Sequence, residues 1–261
     1  MATTNSAPTL WVERGGTGAP TLLLLHGLGA NATVWQPLLP LVTERWPGRW
    51  LAPDLRGHGR SGHRPPYAIG IHAADVAGLL APEDDVIALG HSMGGAVAMA
   101  LASGWFGIRL RRVVAFGVKL MWTSEETAKA QELARAPLRW FETRAAASER
   151  YLRVAGLKDL VDPASAEAAA GIVEEGGRFR LAADPGVNAV AGTPLDAVAA
   201  AMRAPLRLAA GSRDPMVTLP QMQRLDPDAV LIDDAGHNAH VEAPERVWRL
   251  LEAELHPTRT G

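Results

Sequence analysis

The chain contains no cysteine. That excludes disulfides, thiolate metal sites and a cysteine nucleophile, and it leaves the compartment open. It has no long apolar run either: none approaches the roughly 18 residues that a membrane-spanning helix needs. No basic block is present, and 26 Lys and Arg stand against 28 Asp and Glu for a net charge of −2. A nucleic-acid partner is therefore not expected. The opening residues, MATTNSAPTL, are polar and lack a basic flank followed by an apolar stretch, so no export signal is expected. These absences together read as a soluble, cytoplasmic protein without a membrane contact.

What is present is a chain of 261 residues, 48% hydrophobic, enough to bury one sizeable core. Short apolar runs end in turn residues: TLLLLHG (21–27), RWLAPDL (49–55), DVIALG (85–90), RRVVAFG (111–117), PLRLAAG (205–211) and AVLIDD (229–234). TLLLL is continuously apolar, as a strand buried on both faces is. Helix-like stretches such as AADVAGLL (73–80) and GAVAMALASGW (95–105) separate the runs. The alternation predicts an α/β fold, a mostly parallel sheet with helices on both faces. TLWVERGG (9–16) reads as an antiparallel strand at the start.

Residues 121–204 break the rhythm. No convincing strand lies between RRVVAFG and PLRLAAG, and the Ala-rich segment reads as three or four helices. TSEE (123–126) is a capping box, Asp162-Pro163 and Thr193-Pro194 read as helix starts, and Gly176-Gly177 as a stop. One crossover needs far fewer residues, so this segment is expected to form an inserted helical cap. The division is a core of 1–120 and 205–261 with a cap over 121–204.

Between DVIALG and GAVAMALA lies Gly90-His91-Ser92-Met93-Gly94, a G-x-S-x-G in a strand–turn–helix context. Small residues two before and two after the serine let a cramped turn project its hydroxyl, with a helix N-terminus behind it for developing negative charge. The alternative is a purely structural turn. A serine hydroxyl needs a base, and the base an orienting acid. His237, just past the last strand, is the expected base; His240 is its local rival, and His91 reads as packing with its side chain turned away from Ser92. Asp214 in GSRDP is the expected acid, against the alternative of a turn aspartate. Asp233 and Asp234 sit too near the end of their own strand. An oxyanion needs two fixed N–H donors. The backbone N–H groups of Met93 and of Leu28, in HGLG after the first buried strand, are expected to supply them.

Together these motifs resemble the α/β-hydrolase family over nearly the whole chain: HGLG, DLRGHGRSG (54–62), GHSMGG, GSRDPMV and AGHNAHVEAPE, in the family's order. The resemblance implies the α/β-hydrolase fold and gives Asp54, Arg56 and His58 a bracing role rather than a catalytic one. One departure is the N-terminal part, which leaves room for one strand where the family often has two. With Ser92 rather than an aspartate as nucleophile, dehalogenase and epoxide hydrolase chemistry drops out. Hydrolysis of a small carboxylic ester or lactone, by water through an acyl-enzyme, is the expected function. Carbon–carbon bond or thioester hydrolysis on the same triad, or a receptor for small molecules, are the alternatives. No metal and no organic cofactor are expected. Expected pocket residues are Trp35, Lys119, Met121, Trp122, Trp140 and Phe141. For each aromatic the competing reading is core packing; for Lys119, a substrate carboxylate competes with a solvated loop.

Overall fold

The computed structural model describes residues 9–255. The N-terminal stretch read as lacking an export signal lies mostly outside the described residues. Seven strands form the main sheet: β1 (Val12–Gly15), β2 (Thr21–Leu25), β3 (Trp50–Pro53), β4 (Val86–His91), β5 (Leu110–Phe116), and then, after the hairpin β6 (Ile172–Glu175) and β7 (Arg178–Leu181), β8 (Leu206–Gly211) and β9 (Val230–Ile232). Their spatial order is β1-β3-β2-β4-β5-β8-β9, with only β1 antiparallel to its neighbour. The strand expected over 9–16 is thus the antiparallel edge, and it is the one strand before β2 among the described residues.

Strand side chains alternate between faces, so the run of four leucines in β2 feeds two cores. Leu23 and Leu25 join one cluster and Leu22 and Leu24 the other, all without solvent exposure. Burying each such side chain stabilises the fold by about 1.5–3 kcal/mol. Ten α-helices accompany the strands among the described residues. They are α1 (Leu39–Arg45), α2 (Ile69–Ala77), α3 (Met93–Leu101), α4 (Ser124–Ala134), α5 (Arg144–Val154), α6 (Ala166–Ala170), α7 (Leu195–Ala200), α8 (Leu219–Gln223), α9 (Ala239–Glu242) and α10 (Pro244–Leu255). The first core holds α2 and α3, the second α1 and α10. None of these helices is long and apolar enough to cross a membrane.

α3 lies unusually close to the sheet. A Cβ on Gly94 would overlap the backbone carbonyls of Leu25 and His26, and one on Gly90 would sit 2.6 Å from the Gly95 Cα. Backbone cannot move aside as a flexible side chain does. Gly94→Ala is therefore expected to cost about 3 kcal/mol of stability. Urea unfolding checks this; an unshifted midpoint would contradict the close approach.

The segment between β5 and β8 differs from the all-helical reading. α4 does start with the TSEE capping box: Thr123 Oγ1 accepts from Glu126 N at 3.1 Å and Glu126 Oε2 from Thr123 N at 2.9 Å. The later part departs. α6 ends at Gly171, where a Cβ would collide with the Tyr151 ring, and the chain enters β6 and β7, which pair antiparallel. Gly176 and Gly177, read as a helix stop, form the hairpin turn with φ of 57° and 75°. Two consecutive positive φ values suit a two-residue hairpin, which only glycine enters without strain. The expected helix starts also shift. Asp162 accepts from Ala164 N in a turn while Ser165 caps α6, and Thr193 Oγ1 donates to the Val190 carbonyl while α7 begins after Pro194.

Candidate active site

From β2 the chain steps to β3 on one side of the sheet, then crosses back to β4 on the other. The strand order reverses between β2 and β4, and in open α/β sheets the crevice beyond such a reversal is where ligands bind. Two loops flank it: His26–Gly29 after β2 and the turn at Ser92 after β4.

Ser92 has φ 50° and ψ −117°, a region that a non-glycine residue occupies only under constraint. The constraint is visible. Ser92 N donates to the Phe116 carbonyl at 2.9 Å, and the Ser92 carbonyl accepts from Gly95 N at 3.0 Å. Ser92 thereby caps the N-terminus of α3, whose unpaired N–H groups carry partial positive charge. The β2 loop closes over it: a Cβ on Gly27 would lie 3.3 Å from that of Ser92.

Asp214 and His237 arrive on the loops after β8 and β9, at the same sheet edge. His237 Nδ1 donates to Asp214 Oδ2 at 2.9 Å, and the Asp214 side chain is fully buried. Asp214 Oδ1 accepts from Met216 N at 2.8 Å, fixing the carboxylate plane. Behind the pair stands Gly117, with φ 64°, where a Cβ would come within 3.2 Å of the imidazole. The His237 loop is tied in turn by Gly236 N, which donates to Glu242 Oε2 at 2.8 Å.

His91 does more than pack. Its Nε2 donates to the backbone carbonyl of His237 at 3.0 Å, linking the serine turn to the His237 loop. The x in G-x-S-x-G carries no sequence signal for this, because the acceptor is a main-chain atom 146 residues away. His240 is buried in α9 against Trp35, His91 and Phe116, at ring distances of 4.7, 4.6 and 5.4 Å. It packs and does not reach the cavity described next.

Burial pushes His240 down to about 3, and His72, in the first core, to about 4. His26, His58 and His91 are also lowered by burial. An exposed histidine titrates near 6.5. Between that pH and the depressed native values, the unfolded chain binds protons that the native state refuses. Stability is therefore complete above pH 6.5 and is lost as the pH falls toward 4. From pH 7.5 to 4.5, His240 and His72 should each remove roughly 2–3 kcal/mol of stability, and the other three lowered histidines should add to that loss. Urea melts at the two pH values check this, and His240→Phe should flatten the dependence.

A cavity of about 510 Å³ opens over the serine, lined by Gly27, Leu28, Ser92, Met93 and His237 below and by α4, α5 and residues 188–195 above. Of the expected pocket residues, Lys119 and Trp122 line it, and Lys119 is paired with Glu126, whose carboxyl it holds below the usual range. Four expected pocket residues lie elsewhere. Trp35 is buried in the second core, edge-on to Phe116, because its helical turn faces the sheet. Met121 is exposed beside Gln221 and Arg224. Trp140 sits under Arg178 and Arg180. Phe141 pairs with Phe179 of the hairpin and lines a second chamber of about 330 Å³. An aromatic in a helix-like run shows no sign of which side it faces, so the sequence could not separate these.

The loop DLRGHGRSG braces the β2 loop. Asp54 Oδ1 accepts from Ala32 N at 2.7 Å, and Arg56 clamps Asp75 with two hydrogen bonds of 2.6 and 2.5 Å. Among the described residues, no group of three or more His, Asp and Glu is placed to hold a metal ion.

A family model described as the alpha/beta hydrolase family matches residues 22–250. Among curated proteins, the chain is 39% identical over 97 residues to lipase LipV of Mycobacterium tuberculosis, covering 36% of each. The chain spans about a quarter to a third of the length of the curated relatives it matches. Solved structures align along nearly all of it. E-2-(acetamidomethylene)succinate hydrolase has a TM-score of 0.77 at 23% identity, over 95% of both chains. A thermophilic esterase from Thermogutta terrifontis has 0.69 at 25% identity, over 97% of this chain and 95% of that one.

Proposed function

Because the chain belongs to the alpha/beta hydrolase family, we propose that it is a serine hydrolase that cleaves small carboxylic esters or lactones. The observation that carries this reading is the 2.9 Å contact of His237 with a buried Asp214 on the wall of the cavity that holds Ser92. A buried carboxylate on Nδ1 leaves Nε2 as the basic nitrogen, and the strained turn offers a hydroxyl to it.

Ser92 Oγ attacks the acyl carbon while His237 takes its proton. Asp214 stabilises the imidazolium. The N–H groups of Leu28 and Met93, both on the cavity wall, receive the oxyanion. Collapse expels the alcohol, which takes the proton from His237. Water then attacks the acyl-enzyme with His237 again as base, and Ser92 and a carboxylic acid are released. For a lactone, the alcohol stays tethered to the acyl group. Residues 121–204 act as a cap that completes the pocket. The esterase and the lipase among the relatives agree with ester cleavage.

Stopped-flow hydrolysis of p-nitrophenyl butyrate tests this. A burst of p-nitrophenol equal to the enzyme concentration is expected; turnover of no ester or lactone by folded protein would overturn the proposal.

A further inference from the structure

The second chamber shares four wall residues with the first: Leu28, Leu133, Val154 and Asn188. One of these, Leu28, is assigned above to the oxyanion, so the two spaces meet beside the reacting carbon. The division is tight, since a Cβ on Gly29 would come within 2.7 Å of Val154 Cγ1.

The chamber's charge is one-sided. Arg139, Arg150 and Arg180 line it against a single carboxylate, Asp184. That carboxylate is already spent: Oδ2 accepts from Tyr67 Oη at 2.9 Å and Oδ1 from Gly186 N at 2.8 Å. The guanidiniums are engaged only in part. Arg150 has no hydrogen bond or ion pair among the described residues. Arg139 lies over the Phe141 ring at 5.0 Å. Arg180 spends one nitrogen on the Leu181 carbonyl at 3.2 Å and forms an ion pair with the exposed Glu175 at 3.6 Å, while its buried Nε has no hydrogen-bond acceptor among the described residues. A buried donor without an acceptor costs free energy, and planar guanidinium forks match carboxylate and phosphate oxygens.

The first cavity offers an anion less. Lys119 is neutralised by Glu126, and Lys129 and Arg153 are exposed to water, where an anion keeps its hydration and gains little. Arg150 and Arg180 are half-buried, and there the same pairing is stronger.

We propose that the substrate is an ester with an anionic tail, whose carboxylate or phosphate is held by the half-buried Arg150 and Arg180 in the second chamber while its ester lies at Ser92. This rests on the serine hydrolase reading for its chemistry but not for its binding site. The tail belongs either to the acyl group or to the alcohol, so the test has two arms. In the first, mono-p-nitrophenyl suberate is compared with p-nitrophenyl octanoate. In the second, 8-acetoxyoctanoate is compared with octyl acetate. In one arm the anionic ester should have the higher kcat/KM by roughly tenfold or more, mainly through KM, as one charge-assisted contact supplies. Arg150→Gln should reduce that ratio roughly tenfold, and Arg150→Glu should move the preference to p-nitrophenyl 8-aminooctanoate. Ratios at or below one in both arms would overturn the proposal, as would a ratio unchanged by the Arg150 variants. Calorimetric titration of suberate into the Ser92→Ala protein separates the two readings. If no ester is turned over but suberate binds, and binds more weakly once Arg150→Gln is added, the serine hydrolase reading fails and the anion site stands. If suberate does not bind, the anion site fails even with neutral esters hydrolysed.

Discussion

Ser92→Ala should abolish the burst of p-nitrophenol and lower kcat for p-nitrophenyl butyrate by about 10⁴-fold or more, the scale on which losing a serine nucleophile acts. The residual rate would come from binding and the oxyanion donors. Folding should survive, because alanine keeps the Cβ and the turn is held by main-chain bonds from Ser92 N to Phe116 and from Gly95 N to Ser92. Urea unfolding of the same sample establishes this. A third variant separates strain from chemistry. Ser92→Gly should be as inactive as Ser92→Ala yet more stable by about 1 kcal/mol, since glycine enters a φ of 50° without steric cost. Turnover retained in Ser92→Ala would remove Ser92 from the reaction.

Asp214→Asn should lower kcat by about 10⁴-fold at neutral pH with little change in size or fold. Asparagine can keep its oxygen on Met216 N, as Asp214 Oδ1 does at 2.8 Å. Its amide then points an N–H at His237 Nδ1, where Asp214 Oδ2 now accepts. The imidazole must turn Nδ1 into an acceptor and carry its proton on Nε2, so it can no longer take one from Ser92. Steady-state kinetics beside a thermal melt decide it. A loss below tenfold with the fold intact would make Asp214 a turn residue of the Asp-Pro pair, the alternative the sequence also allowed.

The sheet was legible because its strands are buried on both faces. A run such as TLLLL has one stable place, with Leu22 and Leu24 on one side and Leu23 and Leu25 on the other. The serine turn was legible because close backbone approach at Gly90 and Gly94 admits no side chain. Legibility ended where structure depends on contacts distant in sequence. Gly176 and Gly177 fit a helix stop as well as a hairpin turn, and only the Tyr151 ring against Gly171, with the pairing of Phe141 to Phe179, selects the hairpin. The arginine-lined chamber left no motif, since its residues come from the α4–α5 connection, α5, β7 and the turn at Asp184. Trp35 follows HGLG closely in the sequence, yet its turn points the ring into the second core.

The hydrogen bond from His91 to the His237 carbonyl bears on motion. It joins the residue before Ser92 to the backbone of His237, with no atom from the covering segment. A displacement of α4 or the hairpin leaves this bond untouched, whereas one of α5 does not leave the His237 loop alone. The covering segment reaches the same loop from the other side: Asn238 Nδ2 donates to the Ala155 and Gly156 carbonyls at 3.3 and 2.9 Å, at the end of α5, so His237 stands between one tether to the sheet and one to the covering helices.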